Sequence, residues 1–93
     1  MSALQFEWDE TKARSNARKH GVTFEEDRTV FFDEQARVID DPEHSRDEAR
    51  FLILGLSSRL HLLIVAHCYR ADDGIIRIIS ARRATRSEAR FYP

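Results

Sequence analysis

A chain of 93 residues buries only about two-thirds of its unfolded surface, which leaves material for one core and none for a second, so residues 1–93 are read as one domain. Hydrophobic residues at 42% and charged residues at 33% describe an ordinary globular chain, and the longest apolar run, residues 62–66, is far too short to cross a bilayer. The net charge of -1 conceals a difference in sign between the halves. Residues 1–45 carry six Lys or Arg against eleven Asp or Glu, whereas residues 46–93 carry nine against five, and every one of those nine is arginine. A guanidinium stays charged at any relevant pH and grips phosphate with a planar fork, so an arginine-only basic half suits a phosphate-bearing partner; the plain reading is a solvated face with ion pairs.

In chain order, Leu4, Phe6 and Trp8 alternate with Gln5 and Glu7, the pattern of a half-buried strand. The same start lacks the basic and long apolar stretches of a secretory leader, which places the protein in the cytoplasm. Asp9 offers an N-cap oxygen, Glu10 the first-turn acid, Lys19 and His20 the last-turn bases and Gly21 the C-terminal stop, predicting a helix over 10–20. Thr23 and Glu26 are expected to form a capping box that opens a second helix running to about Phe32. The period then changes: residues 36–40, 50–56, 60–69 and 75–81 are rich in branched apolar side chains bounded by turn chemistry, hence four strands, the last three an antiparallel meander. Asp72-Asp73-Gly74 is a hairpin signal, residues 40–48 read as an exposed loop, and Thr85…Glu88 repeats the capping-box spacing before a short terminal helix. The order β-α-α-β-β-β-β-α predicts an α+β fold, an antiparallel sheet with helices on one side or end.

Several chemistries lack their residues. No His-Glu-x-x-His or His/Cys cluster stands at metal-ligand spacing, and Cys68, the only cysteine, can form neither an intrachain disulfide nor a multi-cysteine zinc site. Glycine-rich phosphate loops and Gly-x-Ser-x-Gly elbows are missing. An arginine set remains. Arg70, Arg77, Arg82 and Arg83 lie along or just beyond two adjacent strands, within ~20 Å at ~3.3 Å per residue. Parity gives Arg82 the face of Ile76, Ile78 and Ser80 and puts Arg77 on the opposite face. His61 and His67 share parity with Leu63 and Val65 and are either sheet histidines satisfied in place or proton carriers; Lys19 and His20 suit a helix C-terminus without further purpose.

Phe6-Glu7-Trp8-Asp9, Lys12, Asn16, Lys19-His20-Gly21-Val22 and Phe24-Glu25, with Arg77 to Thr85 and Glu88, closely resemble the BrnT toxin family over nearly the whole chain. The resemblance implies a RelE-like compact fold, a metal-independent endoribonuclease without cofactors that arrests growth, and a BrnA-like ribbon-helix-helix antitoxin through which alone operator DNA is bound. In such enzymes the RNA 2′-hydroxyl attacks the adjacent phosphorus, so the protein orients the strand and stabilises negative charge. Carried over, the site maps onto Arg70 and Arg82, with Lys19 and His20 as neighbours and Arg50 a further candidate; the mechanism expected from these residues puts Arg82 and Arg70 at the scissile phosphate, has His20, Lys19 or His67 move protons, and leaves Arg50, Arg77 and Arg83 to bind RNA. The alternative is a non-catalytic module acting with its antitoxin in transcriptional autoregulation. A non-catalytic RNA-binding sheet would display aromatic rows, whereas Phe31, Phe32, Phe51 and Tyr69 read better as core.

Overall fold

The computed structural model describes residues 4–46, 48–72 and 74–93, so Asp47 of the acidic loop and Asp73 of the hairpin signal lie outside the described residues. Its elements are β1 (Gln5–Glu7), α1 (Glu10–His20), α2 (Phe24–Val30), β2 (Arg37–Asp40), a 3₁₀ turn (Pro42–His44), β3 (Phe51–Leu56), β4 (Leu62–Arg70), β5 (Ile75–Arg83) and α3 (Arg86–Ala89). The result is a mixed α+β fold with a five-stranded sheet in the order β1-β5-β4-β3-β2. Helix α1 starts where the Asp9 carboxylate accepts the Thr11 and Lys12 N–H groups and ends where Gly21, at φ 71°, donates its N–H to Ala17.

The sheet departs from the expected all-antiparallel pattern at one edge. β2 to β5 pair antiparallel, but β1 runs parallel to β5, with Phe6 opposite Ile76. Two helices and three strands separate β1 from its partner, and so long a connection permits parallel pairing. Beyond Glu7 the edge of β5 is completed by a side chain. The buried Asn16 amide donates to Ala81 O at 2.9 Å and accepts from Ala81 N at 3.1 Å, taking the place of a neighbouring strand. The β4–β5 turn uses left-handed Ala71 and Asp72, with Gly74 N–H donating to Ala71 O.

Helices α1 and α2 cover one face of the sheet. Val22, Phe24 and Val30 pack there on Ile53, Leu63, Val65, Ile78 and Ala81, with Phe6, Trp8 and Phe31 around them. Gly55 of β3 lies against α2 so closely that a β-carbon would stand 2.7 Å from Val30 Cγ1. The opposite face carries Leu52, Leu54, Ile64, Ala66, Ser80 and Arg82, cross-strand partners of one another. Helix α3 departs from the expectation of helices on one side: Glu88 and Phe91 line a groove on this second face with Arg37, Ile39, Leu54 and Ile64.

A β-bulge overturns the parity expected for the arginines. Ala66 pairs with Ser80 but His67 pairs with Ile78, so Ile79 is an extra residue in β5. Ile76 and Ile78 face the helices, whereas Arg77, Ser80 and Arg82 share the other face. Arg77 therefore stands on the face of Arg82, and neither shares the side of Ile76 and Ile78. Cys68 opposite Arg77, and Arg70 two residues on, belong to it as well. Among the described residues no helix is long and apolar enough to cross a membrane.

Candidate functional site

The basic residues of the open face form two groups. At one end, the last turn of α1 meets β5 at the bulge. Lys12, Ser15, Lys19, His20 and Ser80 line one recess, and His20, Ser80, Ile64, Ala66 and Arg82 line the next, so His20 and Ser80 are common to both. Lys19, His20 and Arg82, far apart in sequence, are thereby brought together. Arg82 is held by a bidentate fork, NH1 and NH2 donating to Glu88 Oε1 and Oε2 at 2.7 and 2.8 Å. The Arg82 fork holds the Glu88 carboxyl down at about 2, and Glu88 in turn raises Arg82. Glu88 reaches Arg82 because the Thr85–Glu88 capping box is complete: its carboxylate also accepts the Thr85 N–H.

At the other end, Arg70 and Arg50 line a polar cleft with Glu43, His44, Arg46 and Glu48. Arg70 faces Glu7 at 3.6 Å and Glu48 at 3.9 Å, while Arg77 NH1 donates to Glu7 at 2.6 Å. Arg82 sits opposite Ile64, six residues before Arg70 on β4, so the two arginines are about 20 Å apart along the sheet. They share a face without converging on one phosphate, and each is turned to its own carboxylates. The expected pairing of Arg70 and Arg82 around a single phosphodiester gives way to two stations on one surface.

His67 does not belong to this surface. It is 0% exposed on the helix-covered face, packed edge-on to Phe31, with Phe51 and Tyr69 beside it, and its Nδ1 donates to Val65 O. Burial pushes its pKa below the usual histidine range, so the ring is a neutral core group, removed from the arginines by the thickness of the sheet. Cys68 does face the open side, but burial and the neighbouring Glu48 push its thiol up, away from the reactive thiolate. Phe32 and Tyr69, read from sequence as core, are exposed at 64% and 36%.

Arg83 points elsewhere. Its NH2 donates to His61 Nε2 at 3.2 Å, and His61 Nδ1 donates to Glu26 Oε2 at 2.7 Å, an oxygen that also accepts from Ser57 Oγ at 2.7 Å. Sequence reading missed Glu26 because the Thr23…Glu26 spacing fits a capping box. Only half of that box forms: Thr23 Oγ1 accepts the Glu26 N–H, while the Glu26 carboxylate crosses to the β3–β4 turn. His61 N–H and Arg59 N–H both bind Ser57 Oγ, which ties the turn to α2.

Comparison with known proteins agrees with this architecture. The sequence profile of the family described as "Ribonuclease toxin, BrnT, of type II toxin-antitoxin system" matches residues 8–88. The crystal structure of the Brucella abortus ribonuclease toxin BrnT superposes with a TM-score of 0.69 at 22% identity, covering 90% of this chain and 100% of that one. A search of curated protein sequences finds no match. The profile spans both the α1 end that supplies Lys19 and His20 and the β5 segment that supplies Arg77, Arg82 and Arg83. The chain belongs to the BrnT family of ribonuclease toxins of type II toxin-antitoxin systems.

Proposed function

We propose that this protein is a metal-independent endoribonuclease of the cytoplasm whose cleavage of RNA arrests growth, and that a BrnA-like ribbon-helix-helix antitoxin neutralises it and carries the complex to operator DNA. The observation that carries the catalytic reading is the meeting of Lys19, His20 and Arg82 at the bulge, with Arg77 and Arg70 further along the same face. Arg82 binds the scissile phosphate there, and His20 or Lys19 serves it. Arg77, Arg70 and Arg50 hold flanking phosphates toward the far cleft, and Arg83 holds RNA beyond the end of β5. Cationic forks suit the extra charge of a pentacoordinate phosphorus, and the RNA 2′-hydroxyl is itself the nucleophile.

The occupied state of Arg82, forked onto Glu88, favours a second reading, a non-catalytic module acting with its antitoxin in autoregulation. One experiment separates the two. Wild type, Arg82→Ala and Arg70→Ala are induced in cells, cellular RNA is mapped by primer extension, and purified protein is assayed with chelator. The nuclease reading expects chelator-resistant cleavage by wild type, its loss in Arg82→Ala and partial loss in Arg70→Ala. Cleavage abolished by chelator refutes metal independence, and growth arrest undiminished in both variants refutes the site.

A further inference from the structure

We propose that His61, oriented by the buried Glu26 carboxylate and flanked by Arg83, is the group that takes the proton from the ribose 2′-hydroxyl during RNA cleavage. The inference rests on the ribonuclease reading and moves its scissile phosphate from Arg82 to Arg83 and its proton-transfer step from the end of α1 to the β3–β4 turn, leaving Arg82 on a flanking phosphate. A general base must present a lone pair in a fixed direction, which requires a partner on its other nitrogen. Of the four histidines, His67 is buried on the helix-covered face. The His20 ring makes no hydrogen bond among the described residues. His44 leans on Asp41 within one exposed turn, with no guanidinium on its outer nitrogen. His61 alone joins a carboxylate at 7% exposure to an arginine.

The proton positions follow from the partners. Arg83 can only donate, so in this contact His61 Nε2 is the acceptor and Nδ1 the donor to Glu26. Nε2 is therefore the atom that can take a proton once Arg83 is drawn away. Ser57 Oγ donates to the same carboxylate oxygen, which fixes Glu26 in turn. The turn is also held under strain: Leu60, beside His61, adopts φ 63° and is 75% exposed, a left-handed conformation that is unfavourable for a non-glycine residue and that gathers at functional sites. Arg82 and Arg83 are consecutive, so an RNA strand held by Arg82 on the open face meets Arg83 and His61 as it rounds the end of β5.

In the step itself, the phosphodiester draws the Arg83 fork off His61, freeing Nε2. The 2′-hydroxyl proton passes to Nε2 as the O2′–P bond forms and the P–O5′ bond breaks. The departing 5′-oxygen takes a proton from water, and the hydroxide so formed removes the proton from His61. The products are a 2′,3′-cyclic phosphate and a 5′-hydroxyl end, with no oxidant or cofactor consumed.

The test uses the full-length protein and a short single-stranded RNA, with His61→Gln, Glu26→Gln, Arg82→Ala and, as control, the exposed Glu34→Gln. His61→Gln should lower the cleavage rate by about 10²–10⁴-fold and abolish the acidic limb of its pH profile, and Glu34→Gln should leave both unchanged. Glu26→Gln should displace that limb, a response that a purely structural tie would not produce. Cleavage by His61→Gln within threefold of wild type, alongside loss in Arg82→Ala, overturns the proposal and leaves the ribonuclease reading standing; a wild type that cleaves no RNA overturns both. If His61→Gln fails to fold, the wild-type His61 ring resonances are followed by NMR with a non-cleavable 2′-O-methyl RNA. A shift of the His61 resonances on RNA binding supports the proposal, and an unmoved His61 overturns it.

Discussion

Asp27 sits on α2 with 0% exposure, and neither carboxyl oxygen has a hydrogen-bond partner among the described residues. Burial first, then the neighbouring Glu26 and Glu25, push its pKa from 3.8 up to about 8. A carboxyl with a higher value in the folded than in the unfolded chain holds its proton more tightly when folded. Its effect on stability is therefore most favourable below pH ~4, erodes as pH climbs, and levels off once the folded carboxyl ionises near pH 8. At about 1.4 kcal/mol per unit, the loss by pH 7 is on the order of 4 kcal/mol, a large fraction of the 5–15 kcal/mol that a domain has in all. Asp27→Asn removes the titration while keeping the shape. Urea unfolding followed by Trp8 fluorescence should show the variant and wild type nearly equal at pH 4, with the variant gaining about 1 kcal/mol per pH unit to an advantage of several kcal/mol at pH 7. Asp9, Asp33 and Glu88, whose values are lowered, favour the fold as pH rises above the acid range, but they are common to both proteins and cancel in the difference, whereas Glu26, beside Asp27, is coupled to it and adds to the same trend. A difference that stays flat between pH 5 and 8, or a variant less stable at pH 7, refutes the reasoning.

Asn16→Ala should cost roughly 2–4 kcal/mol in urea unfolding, because it strips Ala81 N–H and C=O of their partner at a buried edge. Gly55→Ala should cost about 1–3 kcal/mol, since the new methyl meets Val30 and Ala36 within the packed α2–β3 layer. Glu88→Gln should lower stability by no more than about 1 kcal/mol, as the pair with Arg82 is partly exposed and screened, yet it should tighten single-stranded RNA binding by freeing the fork, measured by fluorescence anisotropy at two salt concentrations. Glu88 has its value lowered to about 2, so the stability it lends is present above pH ~4.5 and fades as acid approaches pH ~2; the gap between wild type and Glu88→Gln should close over that range.

Local structure was legible wherever caps and period agreed. Asp9 and Gly21 mark the ends of α1, and the branched apolar runs mark β2 to β5 to within a few residues. What the sequence concealed lies in long-range geometry. Nothing in residues 75–83 announces that Ile79 is unpaired, so counting by twos put Arg77 on the wrong side. The parallel partner of β1 lies some seventy positions away, beyond local patterning. Among the site residues, His20 lines one recess with Arg82 and the adjoining one with Lys19, but the distance between Arg70 and Arg82 depends on strand register, and the burial of His67 depends on where α2 ends and Phe31 lands. Glu26 was hidden because one motif explained it locally, whereas its carboxylate spans 35 positions to His61.

The unpaired Ile79 acts as a phase shifter between two halves of one strand. Upstream, Ile76 and Ile78 keep time with the core; downstream, Ala81 does so on the opposite beat. Losing a single residue here would turn Arg77 inward or swing Ala81 outward, so length at this point is as constrained as chemistry. The cationic surface thus exists through a miscount built into the strand, and reading frames of side chains, not arginine number alone, decide whether it forms.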